Sequence, residues 1–213
     1  TKDGEINWQN TLNDKNDIFL IDGEGNKVAD SMFLNFWWTE DKYAQDELLK
    51  KSEEHAEKIG VDSKEVYAGI DVQANGTATP IKWDLFEKTA NETYTSLGLY
   101  CPSWTYFSSD TVDSFQEKEA KLWVNEFNDP TKATEATGTT WRGISTYVVE
   151  KSAVTSLPFK TNFSMGNGYN FFIDGEKVSS LDWNNRSLAD VMPTYRWIIE
   201  NEGENQLTAS LDY

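Results

Sequence analysis

The sequence predicts an α/β fold in which parallel strands alternate with helices, as in a doubly wound sheet or a (β/α)8 barrel, followed by the beginning of a β-sandwich. Three observations predict it. Nearly continuous apolar runs begin at Ser31, Val66 and Ser96, roughly 30 to 35 residues apart, the length of a strand with its crossover helix. Helical patterns with recognisable start and stop signals follow the first and third runs. From about Leu157 onward the chain turns to extended segments and Gly/Asn-rich turns, with no long helical pattern.

The first run, Ser31 to Trp38, reads Ser-Met-Phe-Leu-Asn-Phe-Trp-Trp, as expected of a strand covered on both faces. A helix follows. Thr39 is its candidate cap, Glu40 and Asp41 suit the N-terminal dipole, and Gly60 closes it after Ile59. Ala44, Leu48, Leu49, Ala56 and Ile59 supply its buried stripe. The second strand, Val66 to Gln73, ends at the Asn75-Gly76 turn. Helical sequence around Trp83 to Lys88 leads to the third strand, Ser96 to Cys101. A second clear helix is expected from about Thr111 to Phe127, with Asp110 as cap and Val112, Phe115, Leu122, Trp123 and Phe127 facing inward. Beyond it, Leu157 to Asp174, Pro193 to Ile199 and Leu207 to Leu211 read as strands, the last with a half-buried alternation. Residues 1–155 thus form the α/β part and residues 156–213 open a β-rich part.

Three parallel strands alone leave two apolar sheet edges open, and a complete barrel takes about 250 residues. The pattern therefore belongs to something larger. The first residue is Thr1, so the chain reads as a processed product or a fragment. No basic n-region, apolar h-region or cleavage site opens it, so a signal peptide is expected to be absent or already removed, and no apolar run is long enough to cross a bilayer.

Composition narrows the function. Lys and Arg total 19 against 36 Asp and Glu, a formal charge of −17, which disfavours nucleic acid and anionic membranes as partners. One cysteine, Cys101, excludes an internal disulfide and a cysteine-based zinc site. The lone His55 sits in a charged helical run, where a ligand or catalytic role is not expected. Nothing calls for a cofactor or a bound metal. Aromatic residues reach 14%; most must serve a core, but flat rings also stack on the C–H faces of sugars.

Strand alternation selects candidate site residues. One face of each strand is uniformly apolar: Met32, Leu34, Phe36 and Trp38; Val66, Ala68, Ile70 and Val72; Leu97, Leu99 and Cys101. The opposite faces become polar or aromatic toward the C-terminal end, with Asn35 and Trp37, then Asp71 and Gln73, then Tyr100. In a (β/α)8 barrel the active site lies at that end. Amides, a carboxylate and flat rings suit a neutral, polyhydroxylated ligand, although Asp71 and Gln73 also have a purely structural use in satisfying backbone groups at a strand end. Asp22-Gly23-Glu24-Gly25-Asn26 and Asp174-Gly175-Glu176 lack the ligand spacing of a calcium loop and read as turns. Gly166-Asn167-Gly168 has no Lys-Ser/Thr pair and is not a phosphate loop. Four Asn-x-Ser/Thr sequons, at Asn75, Asn91, Asn162 and Asn185, are common enough by chance to carry no argument.

Several stretches, in collinear order over nearly the whole chain, resemble glycoside hydrolase family 85. Asp3-Gly4-Glu5-Ile6-Asn7-Trp8-Gln9-Asn10 resembles that family's loop after the fifth barrel strand. Asp30 to Trp38 resembles its sixth strand, Tyr67 to Gln73 its seventh, and Ser96 to Tyr100 its eighth. Phe159 to Gly168, Trp183 to Ser187 and Leu188 to Trp197 resemble the segment after the barrel. The resemblance implies a partial (β/α)8 (TIM) barrel, its last three strands, followed by the start of a β-sandwich. It implies an endo-β-N-acetylglucosaminidase that hydrolyses the chitobiose core of N-glycans with retention, the substrate's own 2-acetamido oxygen acting as nucleophile. The family's acid/base Glu, in an Asn-x-Glu on the fourth strand, and a Tyr after the fifth would precede Thr1, so the chain alone is expected to be inactive. What carries over is a sugar-binding wall: Trp8 and Trp37 match family tryptophans, Asn35, Asp71, Gln73 and Tyr100 follow from strand position, and Trp104 from the next loop. N-glycans of glycoproteins are the implied partner, together with the N-terminal half of the barrel. The implied location is secreted or cell-surface as in bacterial relatives, or cytoplasmic as in eukaryotic ones. The competing reading is a non-catalytic carbohydrate-binding module; a different (β/α)8 hydrolase is a third.

Overall fold

In the computed structural model, the described residues are 2–5, 9–39, 47–86, 93–129, 132, 141–147, 154–161 and 166–184, with the backbone of 195–198 and 208–211. The chain divides into two compact units, residues 1–104 with 138–141, and residues 105–137 with 142–213.

The first unit is built on three parallel strands, β1 (Met32–Leu34), β2 (Val66–Asp71) and β3 (Ser96–Tyr100), in the order β1-β2-β3. Sequential parallel order requires a crossover between strands. After β1 the crossover contains helix α1 (Leu48–Lys58), which packs against β2. Register sets the faces. Leu34, Ala68 and Leu97 stand in one row, Phe33, Tyr67 and Ser96 in the next. On the first face Leu34, Val66, Ala68 and Ile70 are buried, together with Val72 just past the strand. On the other, Phe33, Tyr67 and Tyr100 are exposed.

Three sequence expectations are corrected here. The first strand is shorter than the run Ser31 to Trp38, because the chain leaves the sheet after Leu34 and makes a 3-10 turn at Trp37–Thr39. The indole of the buried Trp38 then donates Nε1–H to the β2 carbonyl of Gly69 at 2.8 Å, so this apolar residue serves the core without being in the strand. The first helix is described from Leu48, with Glu47 at its N-cap in left-handed conformation and no side-chain cap; residues 40–46, including Ala44, lie outside the described residues. It ends as predicted: Gly60 adopts φ +75 just past Ile59. The second strand stops at Asp71, because Val72–Asn75 turn into a single helical turn, α2, and Gln73 is therefore not on the strand.

The core of this unit continues around the buried Leu49 and Ala56 of α1. Trp38 meets Phe86 edge-on at 5.6 Å, and Trp83 meets Trp141 edge-on at 5.1 Å. Trp83–Phe86 is a 3-10 turn. The loop before β1 is pinned to α1 through the fully buried Ser52, whose Oγ contacts Thr11 Oγ1 at 2.8 Å and accepts from Leu12 N at 3.0 Å. Asp22 closes the predicted turn by accepting from the amides of Glu24 and Asn26.

The helical turn α3 (Trp104–Phe107) precedes the second unit's helix α4 (Val112–Glu119), which passes into a π turn at Ala120–Val124. Its cap is Thr111, which accepts from Ser114 N, and not Asp110. Val112 and Leu122 face inward as expected, whereas Trp123 and Phe127 are exposed. The π turn shifts the inward stripe away from Trp123, and the helical segment has ended at Val124, before Phe127. The buried Asn125 closes the end of this segment, donating Nδ2–H to Asp129 O and accepting from the amides of Phe127 and Asp129.

Further on, β4 (Phe171–Ile173) and β5 (Glu176–Ser179) form a hairpin through Asp174 and Gly175, both at positive φ, as a tight two-residue turn requires. Strand β6 (Tyr195–Ile198) pairs antiparallel with β7 (Thr208–Leu211). The expectation of strand from Leu157 to Asp174 is met by Phe171–Ile173 alone among the described residues, since 154–161 carry no ladder.

Candidate functional site

The exposed face of the three-stranded sheet is shaped by two glycines. A Cβ on Gly98 would lie 2.4 Å from Phe33 Cε2, and one on Gly69 would lie 2.3 Å from the Leu34 carbonyl oxygen and 2.5 Å from Phe33 Cε1. The two glycines therefore leave the space in which the Phe33 ring lies over β2 and β3. Tyr100 at the end of β3 joins it, with its ring 5.4 Å from Phe36 and 6.5 Å from Phe33. Phe33 and Phe36 themselves meet edge-on at 6.2 Å. The result is an aromatic floor leading to the C-terminal ends of the strands.

Beside this floor stand the amides. Asn35 follows β1 directly; its backbone N–H donates to Gln9 O at 3.3 Å and its Nδ2 donates to Asn10 Oδ1 at 2.8 Å. The same Asn10 oxygen accepts the backbone N–H of Trp37 at 3.4 Å. Trp37 is 45% exposed although its neighbour Trp38 is 1% exposed. Asp71 pairs in register with Tyr100, so the two flank each other at adjacent strand ends. Its carboxylate caps α2 by accepting from Ala74 N at 3.2 Å. Gln73 is exposed on α2. Trp104 is half-buried, and its indole lies on Gly76, where a Cβ would come within 2.1 Å of Trp104 Cζ2. Trp8 lies outside the described residues.

Asp71 and Tyr100 therefore come together at adjacent strand ends, and Asn35 follows the end of β1, with the Trp37 backbone held beside it through Asn10. Gln73 leaves the row, and Trp104 is engaged in packing on the turn after β2. Phe33, Phe36 and Asn10 were not selected from the sequence. Phe33 shares the alternation that selected Asn35, and that signal was sufficient to find it. Phe36 was expected on the apolar face with Leu34, but the strand has ended before it, and its ring lies with Phe33 and Tyr100 instead. Rings and neutral amides of this kind bind sugars by stacking and by hydrogen bonds to hydroxyls.

Apart from this face, Asp14, Asp17 and His55 bring three ligand atoms within 4.8 Å of one another. His55 Nε2 is 3.0 Å from Asp17 Oδ2 and 3.8 Å from Asp14 Oδ1. The Lys58 ammonium, hydrogen-bonded to Asp14, holds that carboxyl below its ordinary value, and Lys2 lies 3.9 Å from Asp17. The two ammonium groups already oppose the two carboxylates, so the cluster reads as an ion-pair network joining the loop to α1. No helix among the described residues is long and apolar enough to cross a membrane.

Comparison with known proteins gives the geometry its relatives. The chain is 25% identical over 194 residues to the cytosolic endo-beta-N-acetylglucosaminidase of Gallus gallus, covering 90% of this chain and 22% of that protein. The Homo sapiens protein of the same name is 25% identical over 198 residues, covering 90% of this chain and 21% of the other. The chain thus spans about a fifth of the length of these relatives. Among solved structures, the Endo-D glycoside hydrolase domain from Streptococcus pneumoniae R6 is similar with a TM-score of 0.69 and 27% identity, covering 90% of this chain and 29% of that one. The model of glycosyl hydrolase family 85 matches residues 1–171, and this chain belongs to that family.

Proposed function

We propose that the chain forms the sugar-binding, C-terminal part of the catalytic (β/α)8 barrel of an endo-β-N-acetylglucosaminidase. In this reading β1, β2 and β3 are the sixth, seventh and eighth barrel strands, residues 1–155 belong to the barrel, and residues 156–213 close it and open a β-rich domain. The observation that carries the proposal is the aromatic and amide face at the C-terminal ends of three sequential parallel strands, where barrel enzymes keep their active sites. The parallel order also speaks against a non-catalytic binding module of the all-β kind.

The reaction is cleavage between the two N-acetylglucosamines of the N-glycan core, with the substrate's acetamide oxygen attacking the anomeric carbon and a Glu serving as acid and then base. That Glu is not among the residues of this chain. The chain contributes positioning: rings to hold the sugar planes, and Asn35 to accept or donate at the hydroxyls, so that the acetamide sits under the anomeric carbon. Compartment follows the relatives' names, which say cytosolic for the eukaryotic proteins; a bacterial source would place the protein outside the cell.

The test is hydrolysis of a high-mannose glycopeptide followed by mass spectrometry. The full-length protein that carries this chain is expected to leave one N-acetylglucosamine on the peptide, and the isolated chain to leave the glycopeptide intact. Turnover by the pure isolated chain overturns the assignment of the acid to another segment. No turnover by the full-length protein overturns the enzyme reading.

A further inference from the structure

We infer that Asn10 is a positioning residue of the sugar-binding face, fixing both Asn35 and Trp37 in the orientation a glycan meets. The inference rests on the proposed function and adds a residue to the same site.

The argument begins with which atom Asn10 presents. A backbone N–H only donates, so the side-chain atom facing Trp37 N at 3.4 Å must be the amide oxygen. An oxygen there obliges Asn35 to turn its own amide so that Nδ2 faces Asn10, at 2.8 Å. The Asn35 carbonyl oxygen is thereby directed away from Asn10, and among the described residues no donor from the chain occupies it. One acceptor on a loop thus sets the polarity of a second amide 25 residues further on: Asn35 offers a hydrogen-bond acceptor to the hydroxyl or acetamide hydrogens of the sugar.

The loop holding Asn10 is itself fixed. Gln9 O receives Asn35 N, extending the backbone contact one step beyond β1. On the other side, Thr11 Oγ1 donates to Leu48 O at 3.0 Å and Leu12, 1% exposed, donates its amide to Ser52. Asn13 Nδ2 closes back on Gln9 Oε1 at 2.8 Å, and Asn16 Nδ2 on Thr11 O at 3.1 Å. Asn10 is thus clamped between the end of β1 and helix α1, and its oxygen cannot drift from the two donors.

The test uses the full-length protein with Asn10→Ala and Asn10→Ser, which withdraw the acceptor, and Asn10→Asp, which keeps an oxygen at the same reach. Losing two hydrogen bonds to uncharged donors is expected to raise KM for the glycopeptide about tenfold, with kcat within about twofold, because the contact serves binding equally in ground and transition states. Asn10→Asp is expected to keep KM near wild type. In nitrogen-15 spectra the Asn35 side-chain amide and the Trp37 backbone amide are expected to move in the Ala and Ser variants and to hold in Asp. Should Asn10→Ala fail to fold, Asn10→Ser carries the same expectation. Unchanged KM in a folded variant whose Asn35 resonance has moved overturns the inference while leaving the function standing. A KM loss in Asn10→Asp equal to that in Asn10→Ser overturns it too. A wild-type protein that does not turn over the glycopeptide removes the function itself.

Discussion

Replacing Gly98 by alanine tests how the open face of the sheet is built. The new Cβ would stand 2.4 Å from Phe33 Cε2 and 2.8 Å from its Cδ2, against a carbon–carbon optimum of about 3.5–4.0 Å, so the ring must withdraw by roughly 1 Å. Phe33 is 46% exposed and has open space to withdraw into, which puts the loss near the low end of overpacking, about 1 kcal/mol. Gly69→Ala differs in kind. Its Cβ would meet the Leu34 backbone oxygen at 2.3 Å. A ladder carbonyl cannot swing aside, and about 3 kcal/mol is expected. The discriminating measurement is urea unfolding of each variant with and without Phe33→Ala. With the ring gone, Gly98→Ala is expected to be neutral or to stabilise by about 0.5 kcal/mol, since alanine restricts the unfolded chain. That leaves a coupling of at least about 1 kcal/mol between positions 33 and 98. The loss at Gly69 is expected to persist. Equal losses for Gly98→Ala in both backgrounds would refute the account of the ring lying on this glycine.

Three further outcomes follow from contacts already described. Ser52→Ala strips a buried acceptor from Leu12 N and a partner from Thr11 Oγ1, so thermal unfolding is expected to show about 2 kcal/mol of lost stability; a change below about 0.5 kcal/mol would refute the pinning of the loop. Thr95 is 1% exposed and its hydroxyl has no partner among the described residues, so Thr95→Val is expected to be neutral or stabilising by up to about 1 kcal/mol in the same assay. Tyr169 has its phenol pushed up to about 12, first by its hydrogen bond to the Asp113 carboxylate and then by burial. A raised phenol value means the folded state favours the protonated form, so this contact stabilises fully below the unfolded tyrosine value of about 10 and is lost as pH rises through about 12. Asp113→Asn is expected to bring the tyrosinate absorbance change down toward about 10, and an unmoved titration would refute the pairing.

Where strands begin was legible in the sequence, because Met32, Val66 and Ser96 each follow polar residues and open an apolar run. Where they end was not. Apolar character persists to Trp38, yet the last residues of that run are buried or stacked by other means than the ladder. Asp71, chosen for its chemistry, proves to be a helix cap, the structural use that the sequence reading set beside ligand binding. The face carrying Asn35 and Tyr100 followed from period-two alternation alone. Asn10 did not, because its partners stand 25 and 27 residues away and no local pattern encodes a side-chain contact at that separation. Trp123 and Phe127 were misjudged for a related reason: a π turn shifts the phase of the helix at Trp123 and the helix stops at Val124, and composition announces neither.

The indole of Trp38 on the Gly69 carbonyl has a consequence for how neighbouring letters of this sequence can vary. An N–H borne on a side chain answers the β2 carbonyl, so the backbone is released from the sheet four residues sooner than the apolar run suggests. Trp37 and Trp38 are written alike but are read oppositely. At 38 a substitute must fill a closed volume and still donate, a demand that tryptophan alone satisfies among the twenty side chains. At 37 the ring is 45% exposed, and it is the backbone N–H, not the side chain, that Asn10 receives. Variation between this chain and its kin should therefore spare position 38.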